Sequence, residues 1–161
     1  MKRYLSIWVC MFMIFSFLAA GCTNHNDNTG EEPNNNLKPS TFDIVNNLED
    51  VTIIVNGETP TGLTVVFKNN SDIECIYGEY FYLEKKYDGK WYEVPIAIKE
   101  NYGFEDIAYI LPANEETEWV VDWDWLYGSL ETGEYRIIKD IHKPNESEEY
   151  DTYYLAAEFK I

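Results

Sequence analysis

Leu130-Glu131-Thr132-Gly133-Glu134-Tyr135-Arg136-Ile137 sets a leucine, a glycine and a tyrosine at fixed offsets where a turn opens into a strand. A tyrosine so placed sends its phenol hydroxyl back to a backbone group a few residues upstream and locks the corner between two layers of antiparallel strands. The pattern is structural rather than catalytic. It predicts two packed β-layers, with strands on both sides of the corner.

Upstream, Val51, Ile53 and Val55 alternate with Thr52 and Ile54 until Asn56-Gly57 and Pro60-Thr61-Gly62 break the chain. Leu63, Val65 and Phe67 share the next face, up to Asn69-Asn70-Ser71. Period-two alternation between turn residues marks a half-buried strand. A further strand is expected over about 76–87, where Asp88-Gly89 turns it into a return strand over 90–96; Asp-Gly between two such runs is a strong hairpin signal. Two registers are open to that turn, a two-residue primed turn or a type I turn with a glycine bulge, and they put Trp91 on opposite faces of the sheet. There follow a short strand over 108–111, a strong one over 118–125, another over 134–141 and a last over 152–161. In the last, Tyr153, Leu155, Ala157, Phe159 and Ile161 turn inward. Glu146-Ser147-Glu148-Glu149-Tyr150-Asp151 reads as a solvated hairpin loop before it. No apolar stripe of helical period persists for three turns, and seven or eight strands without crossover helices specify an antiparallel sandwich rather than a parallel sheet.

Tyr77-Gly78-Glu79, Asp88-Gly89-Lys90-Trp91-Tyr92-Glu93-Val94-Pro95, Trp123 followed by Leu126-Tyr127-Gly128, and Gly133-Glu134-Tyr135-Arg136-Ile137 together resemble the bacterial Ig-like domains of lipoproteins from low-GC Gram-positive bacteria, over roughly residues 51–161. The resemblance implies an all-β fold, an immunoglobulin-like antiparallel β-sandwich of about seven to eight strands, and attachment at the cell surface. The family has no established molecular role, so the resemblance implies no functional residues.

Met1-Lys2-Arg3 puts two positive charges ahead of an apolar run from Tyr4 to Ala20, the order of a secretory signal peptide. The run is slightly short for a spanning helix. Leu18-Ala19-Ala20-Gly21-Cys22 closes it and resembles the lipobox of bacterial lipoproteins, with Ala19 where leucine is commonest. This resemblance implies a diacylglyceryl group on the Cys22 thiol and cleavage just before Cys22. The mature protein would then be lipid-anchored at the extracytoplasmic face of a bacterial cell membrane, with the membrane as its partner through acylated Cys22. Two acyl chains, at about 0.8 kcal/mol per buried methylene, suffice for stable anchoring. The expected organisation is a lipoprotein signal peptide over 1–21, a lipid-anchored flexible tether over 22–40 and the sandwich over 41–161. The tether has almost no apolar side chain to pack, and about 18 residues of flexible coil span roughly 20 to 25 Å.

The 161 residues are 45% hydrophobic and 25% charged, the composition of a globular chain. Its 12 Lys+Arg against 29 Asp+Glu give a formal charge of −17. That removes the counterion-release drive toward a phosphate backbone, and no nucleic-acid partner is expected. Loss of residues 1–21 takes Lys2 and Arg3 and no acid, leaving 10 basic against 29 acidic side chains, or −19. Such a charge is repelled by anionic lipid and suits cationic or metal-bridged partners. Cys10 leaves with the signal peptide and Cys22 takes the lipid. Cys75, beside Ile73, Ile76 and Tyr77, reads as a small buried hydrophobe lacking the neighbouring base a nucleophile needs. His25 falls in the tether, and His142, near Asp140 and Lys143, is expected at the solvent. Nucleophile-elbow, His-Glu-x-x-His, P-loop and paired-cysteine motifs do not occur, so no catalysis, cofactor or metal is expected.

One stretch invites a ligand: Trp119-Val120-Val121-Asp122-Trp123-Asp124-Trp125-Leu126-Tyr127. Rings that stack on sugar C–H groups and carboxylates that bond hydroxyls make a glycan surface. Asp122 and Asp124, with Glu116 or Glu118, could share a calcium ion, although the dense Asp-Gly loop of such sites is missing. On one continuous strand Trp119, Val121, Trp123 and Trp125 fall on one face and Asp122 and Asp124 on the other, the pattern of core-in and solvent-out. Trp119 and Trp123 are expected in the core; for Trp125, at the strand end, core and surface are equally open readings. The first functional reading is a non-catalytic interaction module for an envelope protein, using a sheet edge or loop tips such as 99–106. The alternative is a small-ligand receptor for cell-wall glycan or divalent cation, built on Trp125, Tyr127, Asp122 and Asp124. Solvent-open aromatics beside the two aspartates favour the receptor; buried tryptophans and an open edge strand favour the module.

Overall fold

Val51, Ile53, Leu63, Val65 and Phe67 are buried while their neighbours Thr52, Ile54 and Lys68 are exposed, so the period-two alternation builds strands here as expected. The computed structural model describes residues 37–161; the expectations for the signal segment, Cys10, Cys22 and His25 lie outside the described residues. In chain order the elements are β1 (Val51–Thr59), β2 (Gly62–Asn69), β3 (Cys75–Tyr77), β4 (Tyr82–Tyr87), β5 (Lys90–Glu93), β6 (Tyr109–Leu111), β7 (Glu116–Asp122), the helical turn α1 (Asp124–Tyr127), β8 (Glu134–Pro144) and β9 (Tyr150–Lys160).

Two antiparallel sheets result. One has three strands in the order β1-β2-β7. In the other, β8 is the spine: β9 pairs along one side from Glu134↔Lys160 to Pro144↔Tyr150, and β4 and then β3 share the opposite side. β5 extends β4, and β6 extends β3. The facing sides supply one core, which includes Phe67, Leu83, Leu111, Ile137, Ile141 and Leu155. Trp123 is fully buried there, its ring 5.7 Å from Phe159 and its indole N–H donating to the Pro60 carbonyl at 2.9 Å. The Tyr135 hydroxyl donates to the Glu131 carbonyl at 2.8 Å, and its ring stacks on Phe159. The corner closes as the opening motif predicts, and the fold is an all-β, Ig-like sandwich.

The strand expected over 76–87 is in fact two. Ile76 pairs with His142 and Tyr82 with Ile138, so the intervening segment carries two more residues than β8 offers and bows out of the ladder. The return strand stops at Glu93 rather than 96, just ahead of Pro95, which has no N–H for a ladder. Asp88 (φ 48) and Gly89 (φ 74), with Tyr87 opposite Lys90, make the two-residue primed turn. That register places Trp91 half-buried on the outer face, where the Arg136 guanidinium lies 4.6 Å and Lys86 Nζ 4.9 Å from its ring centroid.

The outer face of the larger sheet is covered by the segment before β1. Glu93 N–H donates to the Lys38 carbonyl at 2.9 Å and Ser40 N–H to the Trp91 carbonyl at 3.0 Å, so Lys38 to Ser40, the last residues assigned to the tether, run beside β5. Phe42 then lies edge-on to Tyr82 and Tyr154. Asn46 finishes the cover: its amide donates to the Ala156 carbonyl at 3.1 Å and accepts from Ala156 N–H at 2.8 Å, imitating a strand at the edge of β9. Beneath this cover Glu84 is fully buried, with Arg136 Nε and Nη2 both 2.6 Å from its Oε2 and no partner on Oε1. Arg136 Nη2 also donates to Ser40 Oγ at 3.2 Å.

Candidate functional site

The ligand-like stretch divides at Asp122. There the Asp122 side chain accepts the N–H of Asp124 at 2.9 Å, a local bond that competes with the ladder and turns the chain into α1. Gly128, at φ 70, ends the turn with its N–H on the Asp124 carbonyl at 2.9 Å. The strand expected over 118–125 therefore stops at Asp122. Trp125 does not share a strand face with Trp119, Val121 and Trp123, and Asp124 does not stand beside Asp122 on a strand.

Trp125 is 45% exposed; its indole N–H donates to the Asp122 carbonyl at 3.0 Å and its ring meets Phe104 edge-on at 5.5 Å. Asp122 and Asp124 are exposed nearby. Tyr127 turns the other way, toward Phe81 at 6.0 Å, and burial pushes its phenol well above the usual range. Trp119, expected in the core, is half-buried and packs against Tyr77, Phe81 and Phe67 at the sandwich rim. The four residues assigned to a ligand surface thus give one exposed ring beside two carboxylates, with the fourth facing inward. Among the described residues, no group of three or more His, Cys, Asp or Glu is placed to hold a metal ion.

Cys75 is buried, and burial raises its thiol pKa, which disfavours the thiolate. His142 differs from its expected solvent position: it is half-buried, with Nε2 3.1 Å from Asp140 Oδ2 and Nδ1 3.0 Å from Thr152 Oγ1. Lys139 was not anticipated at all. It is fully buried, donates to the Tyr80 carbonyl at 2.6 Å and to Asp140, and lies 5.7 Å from the Trp119 ring and 5.9 Å from that of Tyr77. Burial lowers its pKa from the usual lysine range. The sole sequence signal is parity, since Tyr135, Ile137, Lys139 and Ile141 fall on one inward face of β8.

A second surface was only loosely foreseen. Among the described residues β7 pairs with β2 alone, leaving its other side open. On the outer face of the same sheet Val120 is 76% and Ile54 57% exposed, with Val66 and Thr64 half-buried between them.

Two packed antiparallel sheets locked by a tyrosine corner define an immunoglobulin-like domain. Residues 45–160 match the model of the bacterial Ig-like domain, and the chain belongs to that family. The chain matches no curated protein. Domains of this fold are typically non-catalytic and suggest an interaction module.

Proposed function

We propose that this chain is an exported lipoprotein, held at the extracytoplasmic face of a bacterial cell membrane through acylated Cys22, whose Ig-like domain binds a protein partner of the envelope without catalysis. The observation that carries the binding reading is the unpaired side of β7 next to exposed Val120 and Ile54, while Trp123 is turned fully inward. An exposed strand edge is a template for a further strand, which monomeric proteins normally cover or blunt. The lipobox-like Leu18-Ala19-Ala20-Gly21-Cys22 supports the anchor. Photo-crosslinking in intact cells tests the binding, with the crosslinker placed in turn at Val120, Tyr102 and Tyr150. A specific adduct at one of these positions is expected, and its absence at all three overturns the module. Labelling with a fatty-acid analogue tests the anchor: label on the wild-type chain and none on Cys22→Ala is expected, and equal label on both refutes it.

The receptor reading retains one observation, the exposed Trp125 ring beside Asp122 and Asp124. Any ligand of the native state raises its melting midpoint by mass action. A midpoint raised by calcium or by soluble wall-glycan fragments, and lost in Trp125→Ala, would move the function to that site.

A further inference from the structure

The register of β7 decides what its open side presents. Trp123 N–H donates to the Thr61 carbonyl at 2.9 Å and Asn69 N–H to the Glu115 carbonyl at 3.0 Å, bracketing a ladder that runs from Gly62↔Asp122 to Lys68↔Glu116. In an antiparallel ladder every second residue bonds inward. The odd-numbered residues of β7 therefore bond β2, and the N–H and C=O groups of Glu116, Glu118, Val120 and Asp122 point to the open side. Among the described residues no backbone bond reaches the first three, while the Asp122 carbonyl is taken by the Trp125 indole. The edge is open along Glu116, Glu118 and Val120 and ends at the ring of Trp125.

The side chains of the same four residues face outward, and their charge selects the occupant. Glu116 pairs with Lys68 at 3.1 Å; Glu118 and Asp122, flanking Val120, meet no cation among the described residues. A second copy of the chain is a poor occupant. Antiparallel pairing of β7 with itself puts Glu118 opposite Glu118, Glu116 opposite Asp122, or Glu118 opposite Asp122 when centred on residue 118, 119 or 120, and like charges directly opposite are destabilising.

We infer that the open edge of β7 accepts an extended segment of a partner protein with the pattern basic–x–apolar–x–basic, added as a fourth strand to the β1-β2-β7 sheet. This inference rests on the interaction-module reading. The apolar residue lies opposite Val120 and extends the outer patch of Ile54, Val66 and Thr64. One basic residue lies opposite Glu118; the other falls past the last ladder pair, where the edge ends at Trp125, and its long side chain reaches the Asp122 carboxylate and the exposed indole, on which a cation is stabilised further.

The test uses the full chain in detergent and a labelled synthetic peptide, Thr-Lys-Thr-Val-Thr-Lys-Thr, followed by fluorescence anisotropy. Two controls are the same peptide with glutamate for lysine and one N-methylated on its ladder-bonding amides. Binding of the lysine peptide, weakened by salt, is expected, with neither control bound. Glu118→Lys should weaken binding about tenfold, since attraction becomes repulsion at one cross-strand pair. Val120→Pro should abolish it by removing an edge donor while leaving the bonds to β2 in place, with a thermal melt confirming that the variant folds. Absent binding overturns the inference, as does binding that both variants and the methylated control leave unchanged, which is diffuse charge attraction elsewhere on the surface. The module itself is judged separately: cellular adducts at Tyr102 or Tyr150 but not at Val120 retain the module and reject this edge, whereas no adduct at any position rejects both.

Discussion

Arg136→Met removes one half of a buried ion pair. Glu84 is fully buried, its Oε1 already lacks a partner, and both bonds to its Oε2 come from Arg136 at 2.6 Å. The substitution strips that carboxylate of its counter-charge and also removes the guanidinium from Trp91 and Ser40. An uncompensated buried charge costs about 3–5 kcal/mol, a large share of the roughly 5–15 kcal/mol that holds a typical domain together. For a sandwich of this size that is roughly 10–20 °C in midpoint. The pair as a whole is a different matter, because desolvation of two ions offsets most of their attraction. Glu84→Leu combined with Arg136→Met should recover to within about 1–2 kcal/mol of wild type. Urea denaturation followed by tryptophan fluorescence measures all four corners of the cycle, with an unchanged m-value showing that the denatured state is comparable. The reasoning fails if Arg136→Met stays within about 1 kcal/mol of wild type, or if the double variant is no more stable than the single one.

Tyr135→Phe keeps the ring on Phe159 and leaves the Glu131 carbonyl without its donor, so it should cost about 1–2 kcal/mol; Tyr150→Phe, at an exposed ring, should be neutral in the same melts. Gly62→Ala drives a Cβ into the Val121 carbonyl across the β2-β7 ladder and should cost about 1–3 kcal/mol, with amide exchange accelerating first at Leu63 and Trp123. Burial raises the phenol of Tyr82 from 10.0 to about 12 and also lifts those of Tyr77, Tyr80, Tyr127 and Tyr135. A raised folded-state pKa contributes stability that is present below pH 10 and lost as pH climbs through the folded values, whereas the lowered pKa of Lys139 acts oppositely up to 10.5. The tyrosines outnumber the lysine, so stability should fall from pH 10 to 12 and unfolding should coincide with phenolate absorbance; a midpoint flat across that window contradicts the assigned burial.

The layers of the sandwich were legible because half-burial writes itself as alternation: Val51 with Ile53, Leu63 with Val65 and Phe67, Leu155 with Ala157 and Phe159. Tyr135 was legible because one hydrogen bond requires one residue type at one offset. The candidate site was harder to read, since Trp119 to Trp125 alternates through the point where the strand ends. Asp122 bonding Asp124 N–H was the stop signal, and aromatic alternation masked it. Buried charge was invisible for a related reason. Glu84, Arg136 and Lys139 stand in strands where a charged side chain reads as solvent-facing, and each is inside because a distant segment supplies its partner or cover: Ser40 for Arg136, Tyr80 for Lys139. The open edge of β7 depended on strand order, which local alternation does not encode.

Tension applied from the N-terminal side enters the fold where Lys38 to Ser40 lie beside β5, at two backbone bonds and the Lys38–Glu93 ion pair. Those bonds, the Arg136–Ser40 bond, the packing of Phe42 on Tyr82 and Tyr154, and then the three bonds that hold Asn46 to β9 stand between the pull and the core ladders. Peeling residues 38–46 releases roughly 30 Å of contour at about 3.3–3.6 Å per residue, and it does so while the two sheets stay paired. The segment that covers the larger sheet is thus also a force-limited extension. Under such a load it would lengthen before the sheets part, and Arg136 would lose its bond to Ser40 first.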